Sequence, residues 1–165
     1  MASSPAPERV PERPPAARLP QREFLEVVAR APLVSIDLIV RDATGLVLLG
    51  LRRNAPARNS WFVPGGCVRK NETLDIAFSR ITLDELGAAA RRAEARFLGV
   101  FEHLYSENAG DVPGFGTHYV VLGYALPEGL NIAPPPEQHS EYRWVSVDGL
   151  LGDPLVHDNT KAYFR

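Results

Sequence analysis

The stretch Gly65-Gly66-Cys67-Val68-Arg69-Lys70-Asn71-Glu72, continued by Thr73 to Leu86 and closed by Gly87, decides how this chain is read. From Thr73 to Leu86 the spacing predicts one amphipathic helix, with Leu74, Phe78 and Ile81 recurring at four and three residues on its apolar side. Asn71 or Thr73 is available as its cap. At about 100° per residue, Glu85 falls on the same side as Ile81, one turn further along. A carboxylate turned inward is costly unless positive charge meets it. Two glycines followed by such a helix point to a divalent cation carrying phosphate as that charge.

Outward from this helix the chain reads as alternating strands and loops. Toward the N-terminus, Trp61 to Val63 is a short strand ending at Pro64, and 54–59 is a loop. Val34 to Arg41, with Val34, Ile36, Leu38 and Val40 on one face, and Leu46 to Arg53 read as two strands. They are joined at the turn Asp42-Ala43-Thr44-Gly45 as a hairpin. Gln21 to Arg30 places Phe24, Val27 and Val28 at helical spacing. Toward the C-terminus, Phe97 to Tyr105 and Gly116 to Ala125 read as strands paired across a loop rich in Gly, Pro, Asn and Asp. A strand over Tyr142 to Val145, a turn or helix near Leu150 and a terminal helix over 159–165 follow. Mixed strands with helices between and after them give an α+β chain, a helix–sheet–helix sandwich.

Residues 1–20 hold six of the fifteen prolines, interleaved with Ala, Glu and Arg. Such a segment buries too little apolar surface to offset its ordering entropy, so a disordered, Pro-rich tail is expected there, with one domain over 21–165. The 165 residues, 45% apolar and 23% charged, suffice for one domain with a real core. A net charge of -2 gives no footprint of bulk nucleic-acid or membrane binding. No apolar run approaches the roughly 20 residues that span a bilayer. The N-terminus lacks the apolar core of a signal peptide. Cys67 is the single cysteine, so no internal disulfide forms, and a reducing cytoplasm is the expected home.

The glycine-rich stretch resembles the Nudix box, and Gly66, Glu72, Arg80, Glu85 and Gly87 match its spacing. Of the three acidic positions after the arginine, Ile81 replaces the first and Asp84 the second, leaving Glu85. Loss of those carboxylates is a mark of one Nudix subfamily, the GDP-mannose mannosyl hydrolases. Further similarity to that subfamily lies in Pro32 to Asp37, Trp61 to Gly66, Thr117 to Gly123, Glu137-Gln138-His139 and Tyr163-Phe164. The resemblance implies a Nudix-type sandwich with a mixed β-sheet. It implies one Mg²⁺ per site, with Mn²⁺ an admissible substitute, held by the Gly65 carbonyl, Glu85 and Gln138. It also implies a homodimer acting on a small-molecule nucleotide sugar.

By the same resemblance His139 is the general base, in histidine's range of pH, while Arg80 and Asp37 belong to the catalytic set. The resemblance also implies that Arg52 contacts the nucleotide and that His103 and Tyr119 bind substrate near the diphosphate or leaving group. Blander readings stand beside these. Glu85 can be a solvent-facing helix residue, Arg80 a surface arginine paired one turn away, Gln138 an exposed loop amide, Tyr119 a core residue and Asp37 a surface carboxylate. One departure is chemical. Where the subfamily has an arginine after the two glycines, this chain has Cys67, and a thiol supplies no fixed charge. Three functions follow as expectations. The first is hydrolysis of a GDP-hexose to GDP and free sugar, with water attacking the anomeric carbon and inverting it. The second is a diphosphatase attacking phosphorus, and the third a nucleotide-sugar binding module without turnover.

Overall fold

The computed structural model describes residues 17–135 and 141–165. The expected tail therefore falls outside the described residues up to position 16, and Gln138 and His139 fall outside them as well. Four helices and seven strands follow in chain order: α1 (Gln21–Val28), β1 (Leu33–Ile39), β2 (Val47–Leu51), β3 (Trp61–Phe62), β4 (Gly65–Cys67), α2 (Leu74–Leu86), β5 (Arg96–Tyr105), β6 (Thr117–Ala125), β7 (Tyr142–Val145), α3 (Val147–Gly152) and α4 (Asp158–Lys161).

The strands form two sheets, ordered β4-β1-β6-β5 and β3-β2-β7. β1 and β6 run parallel from Leu33↔Tyr119 to Ile39↔Ala125, and the remaining pairs are antiparallel. The result is the expected α+β sandwich with a mixed sheet. The expected hairpin of β1 and β2 does not form. Both edges of β1 are taken by β4 and β6, so only one bridge, Arg41↔Val47, survives beyond the turn before β2 departs into the other sheet. The turn itself is held by Asp42, whose Oδ1 accepts from the Thr44 and Leu46 amides at 2.8 and 3.0 Å. Nor is the pair of glycines before α2 a plain loop, because Gly65–Cys67 adds a strand to the edge of β1.

Alternation along β1 separates the two faces of the first sheet. Ile36, Leu38 and Tyr124 of β6 turn toward α2 and pack on Phe78, Ile81 and Leu86, the largest of them fully buried. Val34, expected with them, is exposed, as is Leu74 at the start of the helix. A second core joins Val47, Leu49, Trp61 and Val63 to Leu150 and Val156 beneath the C-terminal helices. The cap of α2 is Thr73, whose hydroxyl accepts from the Ile76 amide at 3.2 Å, a contact worth about 1 kcal/mol. Gly87 ends the helix at φ 70°, where an L side chain is strained and a Cβ would run into the Ala133 carbonyl.

Candidate active site

The face of the first sheet opposite α2 carries Asp37 from β1, His103 from β5 and Tyr119 from β6, with His103 and Tyr119 directly cross-strand. The last strand of the pairing sets how closely this face is approached. Gly65 lies opposite Asp37, and a Cβ at position 65 would sit 2.6 Å from both the Asp37 Oδ1 and the Ile36 carbonyl oxygen. Glycine is required there because the Asp37 carboxylate lies against its backbone. Next to it, a Cβ on Gly66 would meet Ile81 Cγ1 at 3.3 Å. The glycine pair is thus pressed between Asp37 on one side and α2 on the other. Glu85, one turn beyond Ile81, is 8% exposed and faces inward, as the helical spacing predicts.

Arg80 faces a different set of groups. Its Nε donates to Glu72 Oε1 at 2.6 Å and its Nη2 to Glu72 Oε2 at 2.7 Å, a bidentate pair. The same Nη2 donates to the Cys67 carbonyl at 2.9 Å, and Nη1 reaches Asp84 at 3.4 Å. Glu72 Oε2 also accepts from the Arg69 amide at 2.7 Å. The guanidinium therefore pins the loop before α2 to the helix and turns Asp84 toward itself. The Glu72 carboxyl is held below its usual range, first by the Arg80 hydrogen bonds.

Arg52, at the end of β2, is the cation of the sheet face. It makes no ion pair with a carboxylate among the described residues. Its guanidinium carbon lies 5.2 Å from the centroid of the Phe62 ring, a cation–π distance. Its charge is felt by Asp37, Cys67, His103, Tyr105, Tyr119 and His157. Burial pushes the Asp37 carboxyl up to about 6, against the pull of the Tyr163 hydroxyl and Arg52 and with the help of the Glu85 charge. Burial likewise depresses His103 to about 4, aided by His157 and Arg52, so its imidazole is neutral near pH 7. Cys67 is raised to about 11, again chiefly by burial, which leaves it a thiol and a poor nucleophile.

Sequence reasoning missed a third contribution to the site, from the C-terminus. Trp61 of β3 exchanges hydrogen bonds with the 155–157 segment, the Trp61 amide donating to the Leu155 carbonyl at 2.9 Å and the His157 amide to the Trp61 carbonyl at 3.2 Å. This lays α4 and the following 3₁₀ turn, Ala162–Phe164, across the sheet. His157 stacks on Phe62 with centroids 4.7 Å apart, Asn159 donates to the Tyr105 hydroxyl at 3.1 Å, and Tyr163 reaches Asp37 and His103. No short-range spacing signals these contacts. The one hint is the pair Tyr163-Phe164, which the resemblance singles out without a role.

A sequence model described as NUDIX domain matches residues 31–165. The chain belongs to the Nudix family. Membership makes it a hydrolase of that family and supports a pyrophosphatase-type reaction. The chain is 43% identical over 130 residues to the low-salt glycan biosynthesis protein Agl8 of Haloferax volcanii, a match covering 78% of this chain and 80% of that one. Among solved structures, the MutT Nudix hydrolase of Burkholderia pseudomallei superposes with a TM-score of 0.63 at 29% identity, covering 81% and 96% of the two chains. Two others share the Nudix fold. The MutT protein of Methanosarcina mazei Go1 has a TM-score of 0.64 at 19% identity, over 82% and 92% of the chains. The Nudix domain of Shewanella oneidensis NrtR, solved with ADP-ribose, has a TM-score of 0.60 at 20% identity, over 88% and 96%.

Nudix hydrolases generally use divalent ions such as Mg²⁺. The donors here fit a hard cation: the charge of Glu85 is felt at Asp37, and both are oxygen donors. Among the described residues no group of three or more His, Cys, Asp or Glu is arranged to hold a metal. The ligand set expected from the sequence contains only one such residue, Glu85, beside a carbonyl and an amide.

Proposed function

We propose that this Nudix protein hydrolyses a GDP-hexose, GDP-mannose or a close relative, to GDP and free sugar, with water attacking the anomeric carbon. The observation that carries this reading is the fate of the three acidic positions on α2. The first is Ile81, a 1% exposed hydrocarbon packed on Gly66, the second is Asp84, engaged by Arg80, and only the third, Glu85, is a buried carboxylate. Attack on phosphorus is commonly served by several cations, each needing its own carboxylates. One inward acid suits a single cation whose work is to hold a leaving diphosphate. The 43% identical relative carries a name from glycan biosynthesis, which favours a sugar-bearing substrate.

In this reading Glu85, the Gly65 carbonyl and Gln138 hold Mg²⁺, which supplies charge neutralisation to the diphosphate when bound. Arg52 adds a fixed guanidinium on the same side, stabilising the charge that develops on the departing nucleotide. Tyr119 and His103 line the diphosphate end, and Asp37, ionised above about pH 6, faces the same space. His139 takes the proton of the attacking water. Arg80 acts at one remove by holding the glycine loop in register with α2.

A second reading is favoured by family membership itself: attack on phosphorus, giving GMP and a sugar phosphate. A screen of nucleotide sugars with Mg²⁺, resolved by phosphorus NMR, separates the two. GDP as the sole phosphorus product supports the proposal, and GMP with hexose phosphate supports the alternative. A binding module gives tight association and neither product.

A further inference from the structure

Tyr163 belongs to the terminal 3₁₀ turn, 126 residues from Asp37 in sequence, yet its hydroxyl lies 2.7 Å from Asp37 Oδ2 and 3.3 Å from His103 Nε2. A phenol has one proton to give. Donated to the carboxylate, the stronger acceptor, it leaves the oxygen to accept from the imidazole. The order is then His103 Nε2–H to Tyr163 Oη, and Tyr163 Oη–H to Asp37 Oδ2, which commits His103 to its Nε2-protonated tautomer.

The ring is held in place from two sides. Phe101 meets it edge-on with centroids 4.6 Å apart. Gly123 of β6 leaves the room it needs, since a Cβ there would come within 3.2 Å of Tyr163 Cε1 and 3.0 Å of Phe101 Cε2. The hydroxyl is therefore aimed by packing before any ligand arrives. The depressed titration of His103, driven by burial, agrees with a neutral imidazole having a tautomer to fix.

We infer that Tyr163 is a positioning residue of the active site: its hydroxyl ties the Asp37 carboxylate to His103, fixing the rotamer of the first and the tautomer of the second. In catalytic terms this rests on the proposed hydrolysis, but the tautomer does not.

The test compares the wild type with Tyr163→Phe, which keeps the ring and loses the hydroxyl. Gly123→Ala is the second variant, keeping the hydroxyl and crowding the ring. Long-range proton–nitrogen NMR of the unliganded, ¹⁵N-labelled protein reads the His103 nitrogens, thermal melting checks folding, and kcat and KM are taken on GDP-mannose with Mg²⁺. The expected result is a single Nε2-protonated form in the wild type and a tautomer mixture in Tyr163→Phe. It comes with a fall in kcat of about tenfold at little-changed KM and a smaller fall in Gly123→Ala. His103 signals identical in wild type and Tyr163→Phe would overturn the inference, and so would changed signals with an unchanged kcat. A wild type that leaves GDP-mannose intact while the Tyr163→Phe signals still change would support the link and remove only the proposed substrate.

Discussion

Two arginines nominated together by the sequence do opposite things in the molecule. Arg80, on α2, has four of its five N–H groups committed to the protein. It meets both oxygens of Glu72, the Cys67 carbonyl and Asp84, and Glu72 itself has a side chain only 1% exposed. Arg52, across the site just after β2, is spent on no carboxylate among the described residues and rests over the Phe62 ring. A charge already committed to protein acceptors fixes local geometry and has little left for a ligand. A charge held over an aromatic ring has its donors free for an incoming anion. The comparison separates the site into a clamp, which fixes geometry, and a sheet face, which carries chemistry.

The sharpest way to break that division is to remove one charge from each side. Arg52→Met keeps the reach and deletes the cation. It should lower kcat on a GDP-sugar by about 100-fold, roughly the loss of one well-placed electrostatic donor, and change the midpoint of urea unfolding little. Glu72→Gln should do the reverse in kind. It removes the charged partner and leaves Arg80 only Asp84 and the Cys67 carbonyl, which costs about 2 kcal/mol of stability, below the range for a fully buried pair because the guanidinium is partly exposed, read by urea unfolding at pH 7. If Arg52→Met unfolds the protein, or Glu72→Gln is as stable as the wild type, clamp and sheet face are not distinct.

The next effect belongs to the sheet face alone. His103 is depressed from 6.5 to about 4 by burial, so the fold favours its neutral form. Its contribution is fully present above the unfolded value of 6.5 and is lost as pH falls toward 4. About 2 kcal/mol of stability should disappear over that window. His103→Gln should flatten that part of the pH–stability curve measured by urea unfolding. An unchanged slope would mean that burial does not govern this histidine.

The smallest effect lies at the boundary between the two regions, where Cys67 has a carbonyl held by Arg80 and a thiol raised to about 11 on the side of Arg52 and Asp37. Cys67→Arg adds a second guanidinium beside Arg52. It should raise kcat on GDP-mannose by about tenfold, near 1.4 kcal/mol. An unchanged or lower kcat would mean that Arg52 alone satisfies the leaving group.

How legible each region was follows from the length scale of its contacts. The helix from Thr73, its inward Glu85 and the burial of Phe78 and Ile81 are functions of a 3.6-residue repeat, and all three appear in the structure. The pairing of β5 with β6 is likewise read from two apolar runs flanking a loop of turn residues. The clamp was only half legible. Glu72 sits eight residues before Arg80, outside the helix, so no helical spacing predicts their pair. The β1–β2 hairpin was expected because a turn joins two apolar runs. It failed because edge occupancy is decided by β4 and β6, distant segments that local patterning does not weigh. Tyr163 was invisible as a site residue for the same reason: its partners are separated from it by most of the chain. Gln138 and His139, which the resemblance places at the metal and the base, lie outside the described residues.

Hydrolysis of GDP-mannose in water enriched with oxygen-18, with Mg²⁺ present and the products separated for mass spectrometry, reads which atom the water attacks. Attack at the anomeric carbon predicts the label in free mannose and none in GDP. Label in a phosphate group, accompanied by GMP, would contradict it and make this protein a diphosphatase.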